Sequence, residues 1–128
     1  MLLPLLSIVA NGTELPEPTH KVGPRKRVRV EMRDGHTLRT VVRRPKGDGP
    51  FPTIFTRTPY PMGFILGRQC KVFVEQGYAC GWQVVRGTGR DAGRGGEDGW
   101  HPFVHDEADG QDAVAWIREQ PWSDGQVA

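Results

Sequence analysis

A chain of 128 residues, 37% hydrophobic and 25% charged, can build one domain with its own core and lacks the composition of a disordered or fibrous protein. Its 17 glycines and 11 prolines imply many turns and argue against a helical bundle. A formal net charge of +2 is too small to make nucleic acid the default partner.

Residues 1–24 read as an arm or a partial signal segment. Leu2 to Ala10 is apolar but far shorter than the roughly 20 residues of a membrane span, so no span is expected. No basic residue precedes it and the cleavage pattern is poor, which favours a cytoplasmic over a secreted location. Asn11-Gly12-Thr13 has the form of a glycosylation sequon, meaningful only in a eukaryotic secretory context. Residues 11–24 have the character of a Pro- and Glu-containing linker.

Val28, Val30 and Met32 alternate with Arg27, Arg29, Glu31 and Arg33, the period of a strand with one apolar face. Asp34-Gly35 signals a hairpin turn, and Leu38 with Val41-Val42 marks the returning strand, which ends at Pro45. Residues 26–44 therefore read as an antiparallel hairpin, with its arginines on a wet face. Residues 21–46 hold ten Lys or Arg against Glu31 and Asp34, whereas residues 91–128 hold nine acids against Arg94 and Arg118. The two halves can pair with each other, or either can serve a partner. Opposite solvated faces of one domain is the preferred reading. No aromatic residues interleave the arginines for base stacking.

Pro50 to Tyr60 is the most informative stretch. Thr53 to Arg57 fits a short buried strand. Pro59 stops it, because proline donates nothing to a sheet ladder and holds the preceding residue extended. Tyr60 is thereby delivered at the carboxyl end of a strand, where open α/β sheets bind ligands. Leu66, Cys70, Phe73 and Val74 follow at helical spacing, and Gly77 sits where a helix C-terminal glycine belongs. Tyr78 to Val85 reads as a second buried strand. Strand, helix and strand in this order suggest a parallel βαβ unit.

Residues 86–100 form a glycine-dense loop. It contains neither G-x-G-x-x-G nor a phosphate loop ending in Gly-Lys-Ser/Thr, so a structural role is preferred. A further helix begins near Asp106, Glu107 and Asp109, acids that suit its first turn. Gly110, Ala113, Val114 and Ile117 form its expected inward stripe, and Pro121 ends it. Asp124-Gly125 reads as a turn, and Gln126 to Ala128 as the first residues of another strand.

Few residues offer chemistry. His101 and His105 are four apart, but Pro102 follows the first and the glutamate of H-E-x-x-H is missing, so no metal site is expected. Cys70 and Cys80 match no zinc or redox spacing and read as structural thiols, with a disulfide only in an exported chain. Ser7 and Ser123 are the only serines, and neither lies in a glycine-flanked strand-to-helix elbow. No credible nucleophile is present, and no cofactor is expected.

The ordered set Arg29-Val30-Glu31-Met32-Arg33-Asp34-Gly35, Arg44-Pro45, Gly49-Pro50-Phe51-Pro52 and Arg57-Thr58-Pro59-Tyr60 resembles the amino-terminal part of the X-Pro dipeptidyl-peptidase and cocaine-esterase family of serine hydrolases. The resemblance continues through Gly77-Tyr78-Ala79, Val85-Arg86-Gly87-Thr88-Gly89 and Pro102-Phe103. It runs on over Asp109 to Ile117 and Gln120 to Val127, and so covers residues 26–127 in order. It implies an incomplete α/β-hydrolase over residues 25–128: an antiparallel hairpin, a βαβ unit and a further helix. It also implies Tyr60 as a donor to the oxyanion of an acyl-transfer intermediate. The family works by a Ser-Asp-His triad on amide or ester bonds, and some members transfer acyl groups.

The nucleophile elbow of the family would fall just after Val127, so serine, acid and histidine are expected beyond residue 128. His101 and His105 precede that elbow and do not qualify, because the order in this fold is Ser, acid, His. Val84 departs from the Asp that relatives usually carry there. The expected function is therefore that of the amino-terminal portion of a serine hydrolase, inactive alone, whose full-length parent takes a small ester or peptide substrate. Self-association is expected through an exposed edge of the 53–57 strand. The alternative is a noncatalytic module using the basic hairpin of residues 21–46 for a polyanionic partner.

Overall fold

The computed structural model describes residues 15–89 and 101–128. Five strands form one sheet: β1 (Val22–Glu31), β2 (Thr37–Pro45), β3 (Phe51–Thr58), β4 (Ala79–Val84) and β5 (Ser123–Val127). Helix α1 (Gly63–Glu75) links β3 to β4, and α2 (Asp106–Glu119) precedes β5. The sheet order is β1-β2-β4-β3-β5. β1–β2 and β2–β4 are antiparallel, whereas β3–β4 and β3–β5 are parallel. The hairpin, the βαβ unit and the further helix are all present.

The alternation on β1 and β2 divides the core. Val30, Met32 and Leu38 are buried together, with Val28 and Trp116 packed against them. On the same side of the sheet Val42, Phe51, Ala79, Ile117 and Trp122 form the core beneath α2. Beneath α1 lie Leu66, Cys70, Val74, Cys80 and Trp82. β4 is flanked by strands on both edges and covered on both faces, which accounts for its nearly unbroken apolar run. Gly81 lets β2 and β4 pair closely, since a Cβ there would lie 2.5 Å from the Val41 carbonyl oxygen.

Several expectations change. Cys70 and Cys80 are joined in a disulfide with Cα atoms 5.2 Å apart, tying α1 to β4, and are not separate thiols. Helical spacing placed Phe73 inward, but it is 39% exposed and packs edge-on against Tyr78. The buried residues of α2 are Asp109, Ala113 and Ile117, while Gly110 and Val114 are only partly buried. Asp109 faces inward because an arginine pair meets it there, a contact that periodicity cannot anticipate.

Asp124-Gly125 lies within β5 and is not a turn ahead of it. Its turn chemistry is real, however. Gly125 has φ +90, the Gln126 N–H donates to the Asp124 carboxylate, and the Gly125 N–H donates to Ser123 Oγ. The outcome is a bulge: between the Phe51–Ser123 and Thr53–Val127 pairs, β5 advances four residues and β3 two. Pairing with β3 consequently reaches from Ser123 to Ala128, further than Gln126 to Ala128. The arm also has a place in the fold. The Thr19 and His20 N–H groups donate to the Glu75 carbonyl oxygen at the end of α1. The segments 1–14 and 90–100, with the apolar amino terminus, the sequon and most of the glycine loop, lie outside the described residues.

Candidate active site

The carboxyl ends of parallel β3 and β4 set the site. After Thr58 the chain turns sharply: the Tyr60 N–H donates to Thr58 Oγ1 at 3.0 Å and the Met62 N–H donates to the Tyr60 carbonyl oxygen at 2.8 Å. Pro59 cannot extend the ladder, so Tyr60 leaves the sheet and is 62% exposed. Its hydroxyl has no hydrogen-bond partner among the described residues. The tyrosine borders an open cavity of about 600 Å³ on the α1 face of the sheet. Met62, Trp82 and Val84 supply apolar wall, and Arg25, Arg27, Arg29 and Arg39 supply the remainder of the charged rim. No described residue lining this cavity is acidic.

The opposite face holds the machinery that fixes this end of the sheet. Gln83 Nε2 donates to Thr40 Oγ1, and Arg57 Nε donates to Gln83 Oε1. Arg57 also donates to the Asp106 carbonyl oxygen at 3.0 Å. A buried polar chain thus runs across β2, β4 and β3 to the start of α2. Arg86, directly after Val85, binds Asp109 of α2 through Nε at 3.1 Å and NH2 at 2.8 Å. Its other edge holds Asp34 of the hairpin turn. Hydrogen bonding from Arg86 pulls the Asp34 carboxyl well below its ordinary range, and the same bonds raise Arg86. Burial lowers Arg57.

The acidic and basic halves therefore do meet. Arg33 grips Asp112 with its side chain at 2.7–3.0 Å and with its backbone N–H at 2.8 Å. Those bonds lower the Asp112 carboxyl. The hairpin turn is in this way docked on α2, rather than forming only an opposite solvated face.

The remaining sequence candidates do not join Tyr60. His105 precedes α2 at its N-cap without a side-chain capping bond. Among the described residues, no group of three His, Cys, Asp or Glu is placed to hold a metal ion. Of the glycine loop only residues 86–89 are described, with Gly87 and Gly89 at positive φ. Sequence reasoning placed Arg27 on the wet face of the hairpin, counted Arg25 only among the basic residues of 21–46, and gave Trp82 only a place in a buried strand. The i, i+2 repeat of Arg25, Arg27 and Arg29 was the available signal, since it puts three cations on one side of β1.

A model of the X-Pro dipeptidyl-peptidase (S15) family matches residues 34–128. The cocaine esterase of Rhodococcus sp. (strain MB1 Bresler) is 38% identical over 105 residues, covering 78% of this chain and 17% of that protein. An α-amino acid ester hydrolase structure has a TM-score of 0.65 at 27% identity, covering 94% of this chain and 22% of the other. A CocE/NonD family hydrolase from Staphylococcus aureus also has a TM-score of 0.65, at 20% identity, over 90% of this chain and 27% of that one. The fold is that of an α/β-hydrolase, and the chain spans about a fifth of the length of these relatives.

Proposed function

The chain belongs to the X-Pro dipeptidyl-peptidase (S15) family of hydrolases, and from that premise we propose that it forms the Tyr60 side of a serine-hydrolase active site. The reaction is acyl transfer from an ester or X-Pro amide through an acyl-enzyme. Tyr60 donates its phenol hydrogen to the oxyanion of the tetrahedral intermediate. The nucleophile, acid and histidine come from polypeptide outside residues 1–128, and this segment alone is inactive. One observation carries the reading: Tyr60 stands at the carboxyl end of β3, beside an open cavity, with a hydroxyl that has no partner among the described residues. Such a donor acts on charge that appears only in the transition state. The buried polar chain from Thr40 to Arg57 supports it by fixing where β3 ends.

The isolated chain should turn over neither p-nitrophenyl acetate nor Ala-Pro-p-nitroanilide. A hybrid enzyme, with this segment replacing the matching region of the Rhodococcus cocaine esterase, should hydrolyse esters. Turnover by the isolated chain that Tyr60→Phe abolishes would contradict the proposal, as would an inactive but folded hybrid.

The Cys70–Cys80 disulfide supports an oxidising compartment, and so export, over the cytoplasmic location that the poor signal pattern favoured. No helix among the described residues is long and apolar enough to cross a membrane. The 53–57 strand is not the exposed edge expected of it, because β3 pairs with β4 on one side and, as far as Phe55, with β5 on the other. β5 instead lies at an edge of the described sheet, which supports self-association of the isolated chain by strand pairing. A monodisperse monomer in sedimentation would contradict that. The second reading, a polyanion-binding hairpin, has less support. Its cations do not all share one face: Lys26 lies on the face opposite Arg25, Arg27 and Arg29 on β1, and Arg33 is paired with Asp112.

A further inference from the structure

On the reading that Tyr60 is an oxyanion donor, we propose that the adjoining cavity binds a carboxylate on the substrate, with Arg25 as its principal ligand. The substrate class is then an ester or amide whose acyl part carries a second, anionic carboxylate.

Arg25 is held in place without an acceptor among the described residues. Its guanidinium carbon lies over the Trp82 ring, 5.4 Å from the centroid. On its other side it presses against Gly67, where any Cβ would collide with the guanidinium. Glycine inside a helix is destabilising relative to alanine. Here its absent side chain makes the slot in which the arginine lies. Among the described residues Arg25 nevertheless makes no hydrogen bond and no ion pair. A guanidinium carries five N–H donors in a planar fork that fits a carboxylate with two parallel bonds. Arg27 stands two residues along the same strand face, also without a hydrogen bond or ion pair among the described residues. Tyr60 lines the same cavity. Unspent donors, an aromatic wall and no acid among the described lining residues together select an anionic oxygen ligand.

The test uses the full chain and glutarate, with glutaramide as its uncharged counterpart. Binding is followed by nuclear magnetic resonance at the Trp82 indole N–H and the Arg25 Nε–H. Glutarate should shift both signals, and glutaramide should shift neither. Arg25→Gln should weaken glutarate binding at least tenfold, and Arg25→Lys several-fold. Lys26→Gln removes the same charge from the opposite strand face and should change binding less than twofold. Dispersed spectra of the variants show that they are folded. Equal binding of glutaramide would overturn the proposal, and so would equal losses in Arg25→Gln and Lys26→Gln. A DNA duplex that binds more tightly than glutarate and is weakened by Lys26→Gln would also overturn it, in favour of a polyanion surface. The test requires no turnover. Absent glutarate shifts with an active hybrid remove only the carboxylate site, whereas glutarate binding with an inactive hybrid removes only the hydrolase reading.

Discussion

Arg86 and Arg25 serve opposite faces of one sheet, and the difference between them is a difference in acceptors. Arg86 is 8% exposed and spends its donors on two carboxylates, Asp34 and Asp109. Arg25 is exposed, stacked on Trp82 and without an acceptor among the described residues. One arginine joins the hairpin turn, β4 and α2, and the other awaits a ligand. Residue type and net charge are the same in both. What separates structure from site is whether the fold supplies the anion or leaves it to be bound.

The largest stability effect should come from breaking the saturated arginine. Arg86→Met leaves Asp109 buried with Arg57 no nearer than 4.0 Å, and losing one partner of a buried pair costs about 3–5 kcal/mol. Urea denaturation should show that loss, whereas Arg25→Gln should leave the midpoint nearly unchanged. Comparable losses in the two variants would erase the distinction. Replacing both Cys70 and Cys80 by alanine should cost about 3 kcal/mol, since their bridge closes a short loop. Thiol titration of the denatured, unreduced protein from an oxidising compartment should find no free thiol.

Gly67→Ala sharpens the contrast in another way. A Cβ there meets only the far end of a flexible side chain, so Arg25 should swing away. Helix propensity then stabilises the chain by up to about 1 kcal/mol, while glutarate binding falls. A variant less stable than the parent would show the slot to be a packing feature instead.

Acid should act on the saturated face alone. The folded Asp34 carboxyl lies below its unfolded value of about 3.9. Its contribution is therefore complete above that value and is lost as pH falls through the folded one. Stability should decline below about pH 4, and Arg86→Met should flatten that decline. The smallest effect belongs to Asp112→Asn. Its partner Arg33 is 57% exposed, so the change in midpoint should be slight and should vanish at high salt.

Much of this fold was legible because it rests on periodicity and punctuation. The alternation of Val28, Val30 and Met32, the Asp34-Gly35 turn, the stop at Pro59 and the glycine after α1 each impose a local geometry. The position of Tyr60 followed from that punctuation, and the role proposed for it rests on the family resemblance. What was not legible depends on pairs distant in sequence. Asp109 looked like an ordinary first-turn acid because its partner Arg86 is 23 residues away. The slot for Arg25 needs Gly67 and Trp82, on α1 and β4, and no local pattern links them. Asp124-Gly125 misled for a different reason, since the same turn chemistry serves a bulge once β3 is alongside.

The central claim is that Tyr60 donates to an oxyanion, and the hybrid enzyme tests it through Tyr60→Phe. The substitution keeps the ring and removes the one hydrogen that the mechanism uses. The expected result is a fall in kcat of roughly 10²–10³ with KM little changed. An unchanged kcat would contradict the claim and leave Tyr60 as an exposed ring beside a cationic cavity.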